Sequence, residues 1–243
     1  MRTAKTPPAA ACLVDPPSAD TELVYHMAAR SRASRIVDLK GNNRGSFIGA
    51  FVAWLDGKWQ TLVFESRHEL MTGYILLGTP GVDGLWDQPP RVSYIGLDGQ
   101  LHHHTFDFLA TINGRRYAIA CKFASSSARL HFKLQLAAIK AQLNGFADEV
   151  LLVTEADYTR ERALAAELFH FISRERDDEA DQAVERVVDS LIGSTSIGEV
   201  VAVTGLRSRA WRAIVRAVGN RRLQIVGRRR IDDYTTQVVR RDA

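Results

Sequence analysis

The sequence has little cysteine and no long apolar run. Its two cysteines, Cys12 and Cys121, lie far apart and lack the spacing of metal ligands. This excludes a disulfide-rich scaffold and predicts a reducing, cytoplasmic setting. No stretch reaches the roughly 20 apolar residues of a membrane helix, and the most apolar run, 47–55, fits a strand better. We therefore expect no membrane-spanning segment and no membrane partner.

Lysine is absent where positive charge is densest. Residues 206–241 contain eleven arginines and no lysine, and their acids are Asp232 and Asp233. The segment has a net charge of +9, so the remainder of this chain of net charge +4 has −5. Guanidinium groups suit phosphate and base-edge contacts. The segment therefore predicts binding to nucleic acid and a location at the nucleoid.

Common catalytic patterns are missing as well. The sequence contains no phosphate loop, no dinucleotide fingerprint and no convincing Ser/His/Asp arrangement.

An apolar fraction of 46% and a charged fraction of 25% in 243 residues are typical of a globular protein with one large domain or two small ones.

A tight hairpin is the most informative pattern that is present. Asn113-Gly114 separates two runs rich in β-forming residues, which predicts a two-residue hairpin turn. The register then places Asp107 opposite Ala120. Since side chains alternate along a strand, Ala120 and Lys122 share a face. The hairpin thus predicts a carboxylate and an ammonium together at one end.

The order of the other elements predicts a mixed sheet flanked by helices. We expect a short helix and an extended segment within 21–40, strands at 47–55, 59–64, 91–95, 104–112, 115–123 and 149–153, and helices at 65–77, 125–143 and 158–173. The charged run 174–182 contains no apolar residue larger than alanine and marks a boundary. The predicted domains are a disordered lead-in (1–20), an α/β domain (21–175), a charged linker (176–182) and a small C-terminal domain (183–243).

Carboxylates in this order predict a metal site. Glu65 and Glu69 are spaced i, i+4 and so share a helix face. A helical glutamate with Asp107 and Lys122 provides the parts of a phosphodiester-cleaving site, in which carboxylates bind Mg²⁺ or Mn²⁺. Such a site needs a further acid where Ala120 stands.

Four short motifs together resemble the N-terminal domain of TnsA-type transposon endonucleases, which have the restriction-endonuclease-like PD-(D/E)XK fold. The motifs are Phe64-Glu65-Ser66-Arg67-His68-Glu69, Asp87-Gln88-Pro89, Phe106-Asp107-Phe108 and Ala120-Cys121-Lys122. The resemblance covers about 45–155. It implies a setting in a mobile element, with a partner recombinase or transposase.

The resemblance also implies roles for individual residues. Glu69 and Asp107 match the catalytic acids that bind the metal, Lys122 matches the final lysine, and the carbonyl of Cys121 would be an auxiliary ligand. Ala120 departs from the family because a glutamate or glutamine is expected there. Three alternatives stay open: a one-ion site helped by Glu65 or Gln135 as substitutes, a decayed site in a non-enzymatic DNA-binding or regulatory protein, or an ordinary Asp107–Lys122 ion pair.

The C-terminal pattern predicts a winged-helix-like domain that binds double-stranded DNA. Ser196-Ile197-Gly198-Glu199 is a capping-box pattern that opens one helix, a second helix spans 206–218, and strands at 223–226 and 234–239 flank a basic tip. The predicted DNA contacts are Arg207, Arg209, Arg212 and Arg216 on the second helix and Arg228, Arg229 and Arg230 at the tip. A protein-docking domain is the alternative.

Overall fold

The computed structural model describes residues 28–34, 47–55, 57–127, 130–227 and 229–241, and the chain is mixed α/β. The strands are β1 (Gly49–Leu55), β2 (Lys58–Phe64), β3 (Val82–Asp87), β4 (Val92–Ile95), β5 (Leu101–His104), β6 (Phe108–Ile112), β7 (Arg115–Cys121), β8 (Glu149–Val153), β9 (Ser194–Ser196), β10 (Leu223–Ile225) and β11 (Gln237–Arg240). The helices are α1 (Arg67–Leu77), α2 (Ala124–Ser127), α3 (Leu130–Ala141), α4 (Arg160–Ile172), α5 (Asp178–Ser190), α6 (Ile197–Thr204) and α7 (Ser208–Gly219). The predicted lead-in and most of the predicted helix within 21–40 lie outside the described residues.

The predicted Asn113-Gly114 hairpin is confirmed. β6 and β7 pair antiparallel in the expected register, with Ile112 opposite Arg115. Asn113 and Gly114 both have positive φ, at 51° and 75°, as a two-residue hairpin turn requires. β8 then adds to β7 in parallel, and β3 pairs with the other edge of β6, which completes a mixed sheet in the order β3-β6-β7-β8. The strands predicted at 47–55 and 59–64 are present as β1 and β2, which pair antiparallel in a second hairpin.

Alternation along β7 divides its side chains between two cores. Ile119 and Cys121 pack on one side of the sheet, in a cluster that includes Leu70 and Tyr74 of α1. Ala118 and Ala120 pack on the other side, in a cluster that includes Phe106 beside β6 and the α3 residues Leu136 and Ile139. Fully burying an aromatic or leucine side chain stabilises a fold by about 1.5–3 kcal/mol, so these clusters fix α1 and α3 on opposite faces of the sheet.

Several boundaries differ from the sequence-based expectation. β3 was not predicted, because it begins with Asp83 and Gly84 after Val82, and aspartate and glycine are depleted in strands. β5 is a separate strand that pairs with β4, so the predicted strand 104–112 begins only at Phe108. The predicted helix 125–143 appears as α2 and α3.

The charged run was wrongly predicted to be a linker. Asp177 is the N-cap of α5, and 178–182 form the first turns of that helix. Ala180, Val184 and Val188 give α5 a buried face at i, i+4 and i+8, and the first of them lies inside the charged run. The order from 178 onward is α5-β9-α6-α7-β10-β11, with the sheet order β10-β11-β9. The predicted capping box of α6 is confirmed at Ser196 and Glu199.

Helix α4 contacts both parts of the chain. Ala163 belongs to the α1-side cluster, while Leu168 and Phe169 pack against the C-terminal cluster that contains Ile214 and Val215 of α7. Within the described chain, no helix has the length and apolar character to cross a membrane.

Candidate functional site

The first turn of α1 holds Glu69 in place. Ser66 is the N-cap, and its hydroxyl accepts a hydrogen bond from the Glu69 backbone N–H at 3.1 Å. The same hydroxyl donates to Oε1 of Glu69 at 2.9 Å, and the Glu65 backbone N–H donates to Oε2 at 2.8 Å. Glu69 is buried, with 8% of its surface exposed. These bonds stabilise the helix end and also fix the direction of the carboxylate.

Asp107 is held at the entrance to β6. Its backbone N–H donates to the Ile119 carbonyl and its carbonyl accepts from the Gln88 N–H, both at 2.9 Å. Its carboxylate Oδ2 accepts from the Cys121 N–H at 2.6 Å. The carboxylate therefore satisfies a backbone donor at the end of the hairpin, which keeps it beside the last residue of β7.

The two carboxylates lie within electrostatic reach of each other. Burial is the main cause that raises the pKa of Glu69, and the negative charge of Asp107 is the second. Glu65 adds a smaller effect in the same direction, while the hydrogen bonds from the Glu65 N–H and Ser66 partly offset the rise in pKa. Like charges that share a buried site favour protonation or a cation.

Lys122 follows β7 directly, with an exposed side chain and a backbone N–H that donates to the Val153 carbonyl. The Cys121 thiol is buried, and burial together with Asp107 raises its pKa, so it is a poor nucleophile. His104 lies within electrostatic reach of Lys122. Burial and the Lys122 charge lower the pKa of His104 to about 4, so its imidazole is neutral at pH 7. His104 stands in the run His102-His103-His104, in which neighbouring side chains alternate between the faces of a strand, so the sequence pattern does not single it out.

Ala120 does not face Glu69. It is 1% exposed and belongs to the α3-side cluster, whereas Glu69 belongs to the helix on the other face of the sheet. Gln135 lies on α3, also away from α1. Glu65 is the predicted substitute that the structure brings close to Glu69.

Glu69 and Asp107 offer a hard cation two carboxylate ligands, which is fewer than a site built from protein ligands alone would need. In the part of the chain that is described, no group of three or more His, Cys, Asp or Glu side chains forms a metal-binding arrangement. Mg²⁺ keeps several waters and often uses one or two carboxylates together with substrate phosphates. Glu69 and Asp107 satisfy that smaller requirement.

The α7 arginines that were predicted to read DNA are bound to acids within the chain. Arg209 pairs with Asp177 at 2.8 Å and with Glu179 at 2.6 Å. The other two helical arginines have acidic partners in the same segment, with Arg212 3.0 Å from Glu175 and Arg216 2.7 Å from Asp181. Arg216 is also buried, with 6% exposed.

The remaining arginines that were predicted to contact DNA differ in whether they form ion pairs. Arg230 pairs with Asp232 at 2.5 Å. Arg207, which precedes α7 with a φ of 50°, and Arg229 are exposed and form no ion pair with any residue that the structure describes. Arg228 lies outside the described residues.

The acidic partners were missed because pairing across tens of residues leaves no local pattern. The sequence feature that could have indicated them is the net negative charge of the run 174–182, which precedes the arginine-rich segment.

No family model matches the chain, and no curated protein matches it.

Proposed function

We propose that the chain is a DNA-binding protein with a restriction-endonuclease-like domain and a winged-helix-like C-terminal domain, and that it cleaves DNA phosphodiesters with Mg²⁺ or Mn²⁺. The observation that carries the proposal is the convergence of Glu69 and Asp107 from separate elements at one end of the hairpin. The order α5-β9-α6-α7-β10-β11 supports the second domain. The resemblance to TnsA-type endonucleases adds a mobile-element setting and a recombinase partner to the proposal.

Each residue has a defined role in this reaction. Glu69 and Asp107 would hold the ion, which when bound lowers the pKa of a water and neutralises charge on the phosphate. Glu69 is pre-positioned by the bonds from Ser66 and the Glu65 N–H, so little reorganisation is needed. The exposed Lys122 ammonium would attract the phosphate and orient the water, while a neutral His104 beside it adds no charge.

Plasmid nicking tests the proposal. Supercoiled DNA incubated with Mn²⁺ should be nicked by the wild type and by Asp178→Asn, a control at an exposed acid of α5. Asp107→Ala and Glu69→Gln should lose nicking and the rise in melting temperature that Mn²⁺ gives the wild type. Nicking that survives in Asp107→Ala would refute this assignment of the site.

A non-enzymatic DNA-binding protein, built on a decayed nuclease fold, is the second candidate. The burial of Ala120 in an apolar cluster favours it, since the position of the expected third ligand packs against Phe106 and the α3 side chains instead. Tight DNA binding without nicking under any divalent ion would support this candidate over the enzyme.

A further inference from the structure

A groove lies between α4 and the C-terminal sheet. Its volume is about 580 Å³, within the range of ligand-sized clefts. It is lined by α4, by the ends of α1 and α7, and by β10 with the segments that flank it. Phe169, Ala165 and Ala166 contribute apolar surface to the lining. Four arginines lie along it: Arg162, Arg221, Arg229 and Arg241.

These arginines are uncompensated, in contrast to those of α7. All four are exposed, and within the described residues none makes a side-chain hydrogen bond or ion pair. Glu161 is the acid among the described lining residues, which leaves the groove a net charge of +3. Hydrogen bonds from Thr235 are the main cause that lowers the pKa of Asp233. The charge of Arg229 adds a smaller effect in the same direction, and the two side chains do not form an ion pair.

Arginines bind phosphate best when their guanidinium groups are not already paired with carboxylates of the protein. A guanidinium already paired with a carboxylate must give up that partner before it contacts a phosphate, so it contributes little net affinity and releases few counterions. Arg209, Arg212 and Arg216 are in this position. An unpaired arginine pays no such cost, because it exchanges only water and counterions for the phosphate.

We infer that the groove bordered by Arg162, Arg221, Arg229 and Arg241 binds the phosphate backbone of DNA, and that the α7 arginines do not. The inference rests on the proposed DNA-binding function and names the surface that performs it. The arginines come from three parts of the chain, namely α4, the segments around β10, and the end of β11, so a backbone along the groove would contact both halves of the protein. The C-terminal part would thus bind DNA with the edge that faces α4.

Matched charge variants test the inference. Arg221→Gln/Arg229→Gln removes two groove arginines, and Arg209→Gln/Arg212→Gln removes two exposed arginines of α7 with the same change in net charge. Fluorescence anisotropy on a labelled duplex, from 50 to 300 mM salt, gives the dissociation constant and its salt slope. Each lost phosphate contact lowers the slope by about 0.9, so the groove variant should lose about 2 in slope and about 50-fold in affinity near 0.1 M salt.

The other outcomes are distinct. The α7 variant should keep the wild-type slope, and Arg221→Lys/Arg229→Lys should restore it, since lysine keeps the charge. Equal weakening by both glutamine variants, or greater weakening by the α7 variant, would overturn the groove assignment while DNA binding stands. A wild-type protein that shows no salt-dependent DNA binding would overturn the proposed function, and the groove assignment with it. Melting temperatures of all variants confirm that they are folded.

Discussion

Replacing Asp181 with alanine should destabilise the C-terminal part by leaving Arg216 buried without its partner. The Arg216 side chain is 8% exposed, and its guanidinium bonds Asp181 through Nε at 2.8 Å and the Glu175 carbonyl through Nη1 at 3.1 Å. Breaking a fully buried pair by removing one partner costs about 3–5 kcal/mol. Asp181 is 36% exposed, and solvent screening reduces the cost, so we expect a loss of about 2 kcal/mol.

Urea denaturation is the measurement. The midpoint should fall while the slope stays constant, because the change alters stability and not the surface exposed on unfolding. The melting temperature should fall by about 4–8 °C for a chain of this size. Asp178 is an exposed acid on the same helix and has no ion pair with any described residue, so Asp178→Asn should change the free energy of unfolding by less than about 1 kcal/mol.

A compensated variant separates charge burial from packing. Arg216→Met/Asp181→Leu replaces both members with apolar groups and should recover most of the lost stability, since a buried pair is often no more stabilising than apolar packing. If Asp181→Ala is as stable as the wild type and strengthens DNA binding, Arg216 is free to contact DNA, and the reasoning on α7 is wrong.

Two further predictions concern the α/β part of the chain. Burial among Phe51, Tyr74 and Phe171 is the main cause that lowers the pKa of His170 to about 4. As the pH falls from about 6.5 to 4, the His170 imidazole is therefore protonated in the unfolded state but still neutral in the folded state. The free energy of unfolding then drops by up to about 1.4 kcal/mol per pH unit, or about 3 kcal/mol in all. His170→Phe should remove that share of the acid sensitivity in urea titrations at pH 7, 5.5 and 4, and an unchanged loss would contradict the assignment. Ala120→Glu should destabilise the fold by several kcal/mol and fail to strengthen Mn²⁺ binding, because the new carboxylate enters an apolar cluster away from Glu69; calorimetry that shows tighter Mn²⁺ binding with unchanged stability would count against this packing.

Local chemistry explains what the sequence could predict. The Asn113-Gly114 hairpin and the Ser196 capping box each depend on residues a few positions apart, so their side chains determine the backbone directly. β9, by contrast, consists of Ser194, Thr195 and Ser196, which have no apolar alternation, and it exists because β11 pairs with it.

The arginines of α7 show why charge alone was insufficient. Their spacing gave a basic helix face, and a sequence pattern could not tell whether solvent, DNA or another helix covers it. Helix α5 covers that face. It was not predicted from the sequence because its first buried residue, Ala180, is small and stands within a charged run. Once α5 is a helix packed on α7, its acids meet Arg209 and Arg216, while the arginines beside α4 have no ion pair among the described residues. An excess of positive charge therefore predicts an anionic partner, while the location of unpaired charge determines where that partner binds.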